Sequence, residues 1–526
     1  MKKNLMIRFM KLKTMMPLVL CAALFAGCAN DDDDNGRGRG YDGPDGTDTY
    51  GYVRDTDGNP VAGVVVSDGY TCVETDQTGL YGFERNAAAR FVTYSLPAEF
   101  EVAVSTLTGL PEFHASLREA VCRYDFTLKR LPQAEKKFTL FCIGDPQVND
   151  MDHVYRFKQE TVADIADYAS KSAEPVYAIT LGDLVNNKWD LIPNMVFAMQ
   201  AAKVGMPVFQ TVGNHDHDYN MKDDASALRT YETYCGPTNY SFNRGDVHIV
   251  SMDNVQHRLE ASDSYDGGLS AAQFEWLKQD LSFVPKEKMV IFCVHIPFRG
   301  GSASGGSNMN TDKYYQEVLD LLSEYASAAI MSAHTHSNIN YIHTVNGKQI
   351  YEHVTGTTCG AWWKSTVCTE GTPNGYGVYS VDGATITDWI YKPVKYDESF
   401  QVRLYRGTDK FKGGDKSYSF AKSAKGQIVA NVWNADPAWT VNVYENGALS
   451  GQMTSYSDKD AWTVAYHVGR LGGSSSYDKK TDHLFYYTLK DPAATVRVEA
   501  VDRFGRKYYQ DQFTDPASDP GSYPAM

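Results

Sequence analysis

A chain of 526 residues exceeds one ordinary hydrophobic core, and at ~100–200 residues per domain it predicts about three. Its composition, 43% hydrophobic and 22% charged, is that of a folded globular protein, and 35 Tyr with 43 Gly favour β-rich modules over a helical bundle. The formal net charge of −15 argues against a nucleic-acid backbone as the main partner, while a local cationic pocket or a bound metal could still attract an anion.

The first residues read as an address. Lys2, Lys3, Arg8, Lys11 and Lys13 precede an apolar run over residues 15–26 that is too short to span a membrane comfortably, the pattern of an export signal over residues 1–27. The run ends in LFAGC, which resembles a bacterial lipoprotein lipobox and implies lipidation at Cys28, with the membrane as partner through that lipid. Asp31, Asp32, Asp33 and Asp34 open a Gly-rich segment, residues 28–47, that cannot bury apolar area and reads as a solvated tether. An acidic run directly after a lipidated cysteine also resembles the export signal of surface lipoproteins in Bacteroides-type bacteria, which implies an outer-membrane, surface-exposed protein. Beyond Cys28 remain Cys72, Cys122, Cys142, Cys235, Cys293, Cys359 and Cys368, an odd number that precludes complete internal pairing. Cys142 and Cys293 sit in strand-like runs and are expected as small core hydrophobes, whereas Cys359 with Cys368 and Cys72 with Cys122 are open candidates for bridges.

Residues 48–131 alternate short β-type runs with turns, Asp57-Gly58 and Asp68-Gly69 being hairpin signals, and predict a small antiparallel sandwich. This segment resembles transthyretin-like β-modules and holds no cluster of chemical groups. From 136 to 392 the pattern becomes strand then helix, with helices predicted over residues 155–170, 191–204, 270–283 and 313–325, the third opened by a capping box of Ser270 and Gln273. Strand and helix in alternation predict a layered α/β domain. Residues 393–526 return to β-type runs and predict a third, all-β module with a loose tail.

The central segment carries the chemistry. Five apolar runs, KFTLFCIGD, VYAITLGD, PVFQTVGN, KMVIFCVH and AAIMSAH, each close on a potential metal ligand: Asp145 with Gln147, Asp183, Asn214, His295, and His334 with His336. Singly, a Gly-Asp is a turn and a lone histidine a core residue. In this order, at the carboxyl ends of buried strands, they form a site. The series GDPQ, GDLVN, GNHD, VHIP, AHTH resembles the calcineurin-like metallophosphoesterase superfamily over about residues 136–392. The resemblance implies a layered α/β sandwich with flanking β-domains, two divalent metal ions, and a metal-bridging hydroxide that attacks a phosphate monoester or diester. It places Asp145, Gln147 and His336 on the first metal, Asp183 between the two, and Asn214, His295 and His334 on the second. His215 corresponds to the family histidine that faces the scissile phosphate without binding metal. Asp216 would orient that imidazole or lie exposed in a turn.

Physical chemistry supports the assignment independently. Phosphate esters are anionic and slow to react, so two dications that clamp the phosphoryl oxygens and acidify a shared water meet both needs, with a carboxylate as the natural bridge. Gln147, where the family usually has histidine, exchanges nitrogen for a neutral oxygen, so the first position becomes harder and favours Mn²⁺ or Fe²⁺, with Zn²⁺ also compatible. Arg299 and the Gly/Ser-rich segment after His295 are candidate rim elements, and Trp362 and Trp363 offer either a platform for a flat substrate or packing against the third module. His217, His248, His257 and His353 have no motif support and are expected to be structural. The alternative reading is a catalytically inactive surface lipoprotein that binds a glycan or peptide through its β-modules.

Overall fold

The structure is a computed structural model that describes residues 42–258, 265–299 and 314–520. The expected leader, Cys28 and most of the acidic tether lie outside the described residues, as do residues 300–310 of the Gly/Ser-rich segment. No helix among the described residues is long and apolar enough to cross a membrane.

Two sheets face each other at the centre. The first has five strands in the order Val208–Phe209, Val176–Thr180, Lys137–Ile143, Gly375–Asp382, Thr385–Pro393, parallel across the first three and antiparallel beyond. The second has six, in the order Tyr240–Arg244, Val247–Ser251, Met289–Cys293, Ser327–Ser332, Lys348–Val354, Ile339–Val345, with the middle four parallel. Side chains alternate along each strand, so Leu140 and Cys142 join the core between the sheets while Phe141 and Ile143 face a helical layer. On that outer side pack Met151–Arg156, Ala163–Ala169 and Ile192–Ala198; the other sheet is covered by Ala271–Ser282 and Tyr315–Leu322. This helix, sheet, sheet, helix layering is the α/β sandwich expected. The Ser270–Gln273 capping box is present, and the helix predicted over 155–170 carries a π-helical segment, Phe157–Val162.

The N-terminal module is a pair of small sheets. Its pairing is mixed, unlike the antiparallel sandwich expected: Thr49–Asp55 pairs in parallel with Phe126–Leu128, since the chain returns from the far sheet before adding that strand. The module covers the edge strand Tyr240–Arg244, where the Asn243 amide donates to the Leu96 carbonyl, and so shields an edge that would otherwise be open to pairing. The C-terminal module has two four-stranded sheets and a two-stranded hairpin, with a core centred on Leu404, Val441 and Val498. None of the seven cysteines among the described residues is in a disulfide, and Cys142 and Cys293 are fully buried.

Candidate active site

Parallel strands bring their carboxyl ends to one rim, which is how five motifs distant in sequence come together. At the centre stands His295, fully buried. Its Nδ1 donates to the Leu181 carbonyl at 2.7 Å, which turns Nε2 into the site. Around Nε2 lie Asn214 Oδ1 at 2.9 Å, His334 Nδ1 at 3.1 Å and Asp183 Oδ1 at 3.3 Å. Acceptors converging without enough donors are costly when buried, and a cation resolves the conflict. Ligand atoms of Asp183, His295 and His334 lie within 4.8 Å of one another, a geometry able to hold a metal ion.

The second half of the site faces Asp183 from the other side. Gln147 Nε2 donates to Asp183 Oδ2 at 3.2 Å, so the two carboxylate oxygens of Asp183 look in different directions, one toward His295 and one toward Gln147. Asp145 Oδ2 accepts from the His334 amide at 3.1 Å, and its Oδ1 lies 3.8 Å from His336 Nε2. Asp145 Oδ1 and Gln147 Oε1 are both buried and have no hydrogen-bond partner. Orphaned oxygens of this kind cost free energy unless something positive meets them. The titration of the group agrees. Burial pushes the Asp145 carboxyl well above its usual range. Burial drives His336 down to about 3 and holds His334 well below its ordinary value, so both rings are neutral and each has a lone pair to offer. For Asp183 burial acts upward, but the positive charge of the His295 imidazole, whose pKa burial would lower and the Asp183 carboxylate instead lifts to about 9, outweighs it and keeps the carboxyl ionised.

The backbone is bent to build this. Of the seven predicted ligands, five have left-handed φ: Asp145 (42°), Gln147 (38°), Asp183 (53°), His334 (68°) and His336 (56°). Each such non-glycine residue costs ~1–2 kcal/mol and persists only where packing over-determines it. The motif glycines make the approach possible. A Cβ on Gly213 would lie 2.2 Å from the Asp183 amide nitrogen, and one on Gly182 (φ 90°) 2.5 Å from His295 Nδ1.

Three family models match in chain order: the N terminal of calcineurin-like phosphoesterase over residues 47–131, calcineurin-like phosphoesterase over 138–338, and the C terminal of calcineurin-like phosphoesterase over 352–508. The chain belongs to the calcineurin-like phosphoesterases. Members of this family hydrolyse phosphate-ester bonds with divalent metals. No curated protein matches it. Among solved structures the phosphoesterase is similar to purple acid phosphatase PPD1 from yellow lupin (Lupinus luteus) seeds, 13% identical over 61% of this chain and 65% of that one, with a TM-score of 0.35. It is also similar to the NAD nucleotidase of Haemophilus influenzae (11% identity, 49% of this chain, 50% of that one, TM-score 0.31) and to a 5'-nucleotidase precursor from Thermus thermophilus (10%, 71% and 88%, TM-score 0.31). The phosphoesterase spans just under two thirds of the lupin enzyme's length and half of the Haemophilus enzyme's.

Other sequence expectations resolve differently. His215 is partly exposed beside the cluster; its amide donates to Asp183 Oδ1 at 2.8 Å, and its Nδ1 meets Asn187 Oδ1 at 2.8 Å. Asn187, at φ 54°, is thus the residue that orients the His215 ring, and motif spacing gave no sign of it beyond an amide pair following Asp183. Asp216 neither orients that ring nor lies exposed in a turn. It is fully buried and accepts from the amides of Val185 and Gly213, pinning one motif loop to the other, with its carboxyl pushed up to about 7 by burial and by the Asp183 charge. Trp363 is buried, donating from Nε1 to the Pro146 carbonyl, while Trp362 stacks on His336 with centroids 4.3 Å apart. The Arg299 guanidinium lies 5.8 Å over the Tyr341 ring.

The motif-free histidines are held by protein groups: His248 by Asp280 and Asn243, His353 by Tyr379 and Asn338, and the His257 amide by Asp224. His217 is the informative one. Burial opposes its protonation, but the Asp253 carboxylate 3.3 Å away wins and lifts the imidazole from its ordinary 6.5 up to about 9. A group whose folded-state value exceeds its unfolded one supports the fold fully below the unfolded value and loses that support as pH rises through the folded one. Thermal unfolding should therefore show this part of the stability declining between pH 6.5 and about 9. His217→Gln should flatten the decline; an unchanged slope in a folded variant would remove His217 as its cause.

Proposed function

We propose that the phosphoesterase hydrolyses a phosphate monoester or diester at a centre of two divalent ions. Asp145, Gln147 and His336 would hold the first, Asn214, His295 and His334 the second, and Asp183 would stand between them. The observation that carries this reading is the pair of orphaned oxygens on Asp145 and Gln147, opposite the converging acceptors around His295, with one oxygen of Asp183 turned toward each group. The ions would supply positive charge for the phosphoryl oxygens and acidify a shared water. The chain's own groups do the rest. Asp183 is locked by the His215 amide and the Gln147 side chain, so its oxygens cannot rotate away. His215, held through Nδ1 by Asn187, presents Nε2 for proton exchange with the departing alcohol.

The test is hydrolysis of an aryl phosphomonoester and the matching diester by protein stripped with chelator and then given Mn²⁺, Fe²⁺, Zn²⁺ or Mg²⁺. Activity should vanish on stripping and return best with Mn²⁺ or Fe²⁺, because an oxygen donor at Gln147 hardens the first position. Gln147→His should raise Zn²⁺-supported relative to Mn²⁺-supported activity by about tenfold, equivalent to ~1.4 kcal/mol of differential affinity. Full activity in metal-free protein would sink the proposal.

A further inference from the structure

The two metal positions of that reading are supported by different parts of the chain. Among the described residues, hydrogen bonds of Asn214, His295 and His334 join them to Leu181, Ala333, Asp145, Tyr265 and one another, all within the central sandwich. His336 has one contact of that local kind, the Cys359 thiol 4.0 Å from its Nδ1, and is otherwise held differently. Its carbonyl accepts from Thr369 Oγ1 at 3.3 Å, and the amide of Asn338, two residues on, donates to Glu370 Oε1 at 2.9 Å. Its ring stacks on Trp362, which in turn packs edge-on against Tyr477 of the C-terminal module at 4.9 Å.

Glu370 is fully buried, and it faces the C-terminal module. Its carbonyl accepts from Asn431 Nδ2 at 3.2 Å, and its Oε1 lies 3.8 Å from His483 Nε2, a ring whose Nδ1 meets Asn431 Oδ1 at 2.8 Å. The segment after His336 runs along the same surface. Asn338 Nδ2 donates to the Trp433 carbonyl at 2.8 Å and Asn340 Nδ2 to the Asn434 carbonyl at 2.9 Å. The backbone that carries His336 is therefore clamped at alternate residues by groups on or anchored to the C-terminal module. A left-handed residue such as His336, at φ 56°, keeps its conformation only while its surroundings impose it.

We infer that the C-terminal β-module sets the affinity of the first metal position alone, with Glu370 as the positioning residue that transmits its hold to His336. The inference rests on the two-ion reading and adds to it an asymmetry: loosening the clamp releases one ion and leaves the other. Glu370 is not one of the seven predicted ligands. It acts by fixing the Asn338 amide, and supporting groups of this kind change metal affinity by ~10–100-fold.

The experiment uses the full chain with Mn²⁺ as probe, read by equilibrium dialysis and by electron paramagnetic resonance, which distinguishes a spin-coupled pair from an isolated Mn²⁺. Wild type should take up two ions with a coupled spectrum. Glu370→Ala should hold one with unchanged affinity, bind the other ~10–100-fold more weakly, and show the isolated-ion spectrum until Mn²⁺ is raised. Glu370→Gln keeps an oxygen acceptor for the Asn338 amide and should restore the coupled spectrum. Tyr477→Leu, which removes the backing of Trp362 without touching the buried polar groups, should weaken the same ion and decides the matter if Glu370→Ala does not fold. A folded Glu370→Ala or Tyr477→Leu that binds both ions as wild type does, or loses both equally, overturns the inference while leaving the two-ion reading standing. A wild-type chain that takes up no Mn²⁺ overturns both.

Discussion

Asp183→Asn should lower kcat for an aryl phosphoester by at least ~10⁴-fold, with the fold intact. Each dication contributes several kcal/mol of transition-state stabilisation, and each ~1.4 kcal/mol is a factor of ten in rate. Asp183 is the residue whose two oxygens reach toward both halves of the site, at 3.3 Å to His295 Nε2 and 3.2 Å to Gln147 Nε2. An asparagine keeps the volume and one oxygen that can accept from the His215 amide, so the loops need not move. What it removes is the negative charge and the second oxygen, and without them two like charges cannot be held close. Steady-state kinetics with metal analysis of the same sample makes the check. Activity within tenfold of wild type at full metal saturation would show that Asp183 does not bridge.

His215→Ala should reduce kcat by ~10²–10⁴-fold while metal content stays unchanged, the range for a group that exchanges a proton with the reacting oxygen. Its side chain meets Asn187, whereas its contact with Asp183 is through the backbone amide, which alanine retains. The loss should shrink as the leaving alcohol becomes more acidic, because such an alcohol departs without a proton. Asn187→Ala should give a smaller loss, ~10–100-fold, since His215 remains but its ring is no longer fixed. A His215→Ala deficit that is the same for good and poor leaving groups would assign the ring to binding instead of proton transfer.

The order of chemistry was legible because it follows from two short-range rules. Strand periodicity marked Lys137–Ile143, Val176–Thr180, Met289–Cys293 and Ser327–Ser332, and a polar group closing each apolar run marked the rim. Ser270 and Gln273 announced their helix by the same local logic. Asp216 failed this reading, because a polar residue in a turn-like GNHD string looks solvated and only the facing amides of Val185 and Gly213 make its full burial tolerable. Asn187 failed it too, since its partner His215 comes from another loop. The parallel pairing of Thr49–Asp55 with Phe126–Leu128 was missed because alternation states that a strand exists and not which neighbour it takes.

The amino-acid sequence by itself determined the layered α/β class with β-rich flanks, the residues able to ligate metal and their order, and the amide of Gln147 among them. These are properties of residue type and of spacing along a strand, both local. The tertiary structure alone decided the left-handed φ of Asp145, Gln147, Asp183, His334 and His336, the orientation imposed on His295 by the Leu181 carbonyl, and the hold of Glu370 and Tyr477 on the His336 side. Each of these costs free energy in isolation, as strain or as a buried polar group, and is stable only when elements remote in sequence supply the compensating contact.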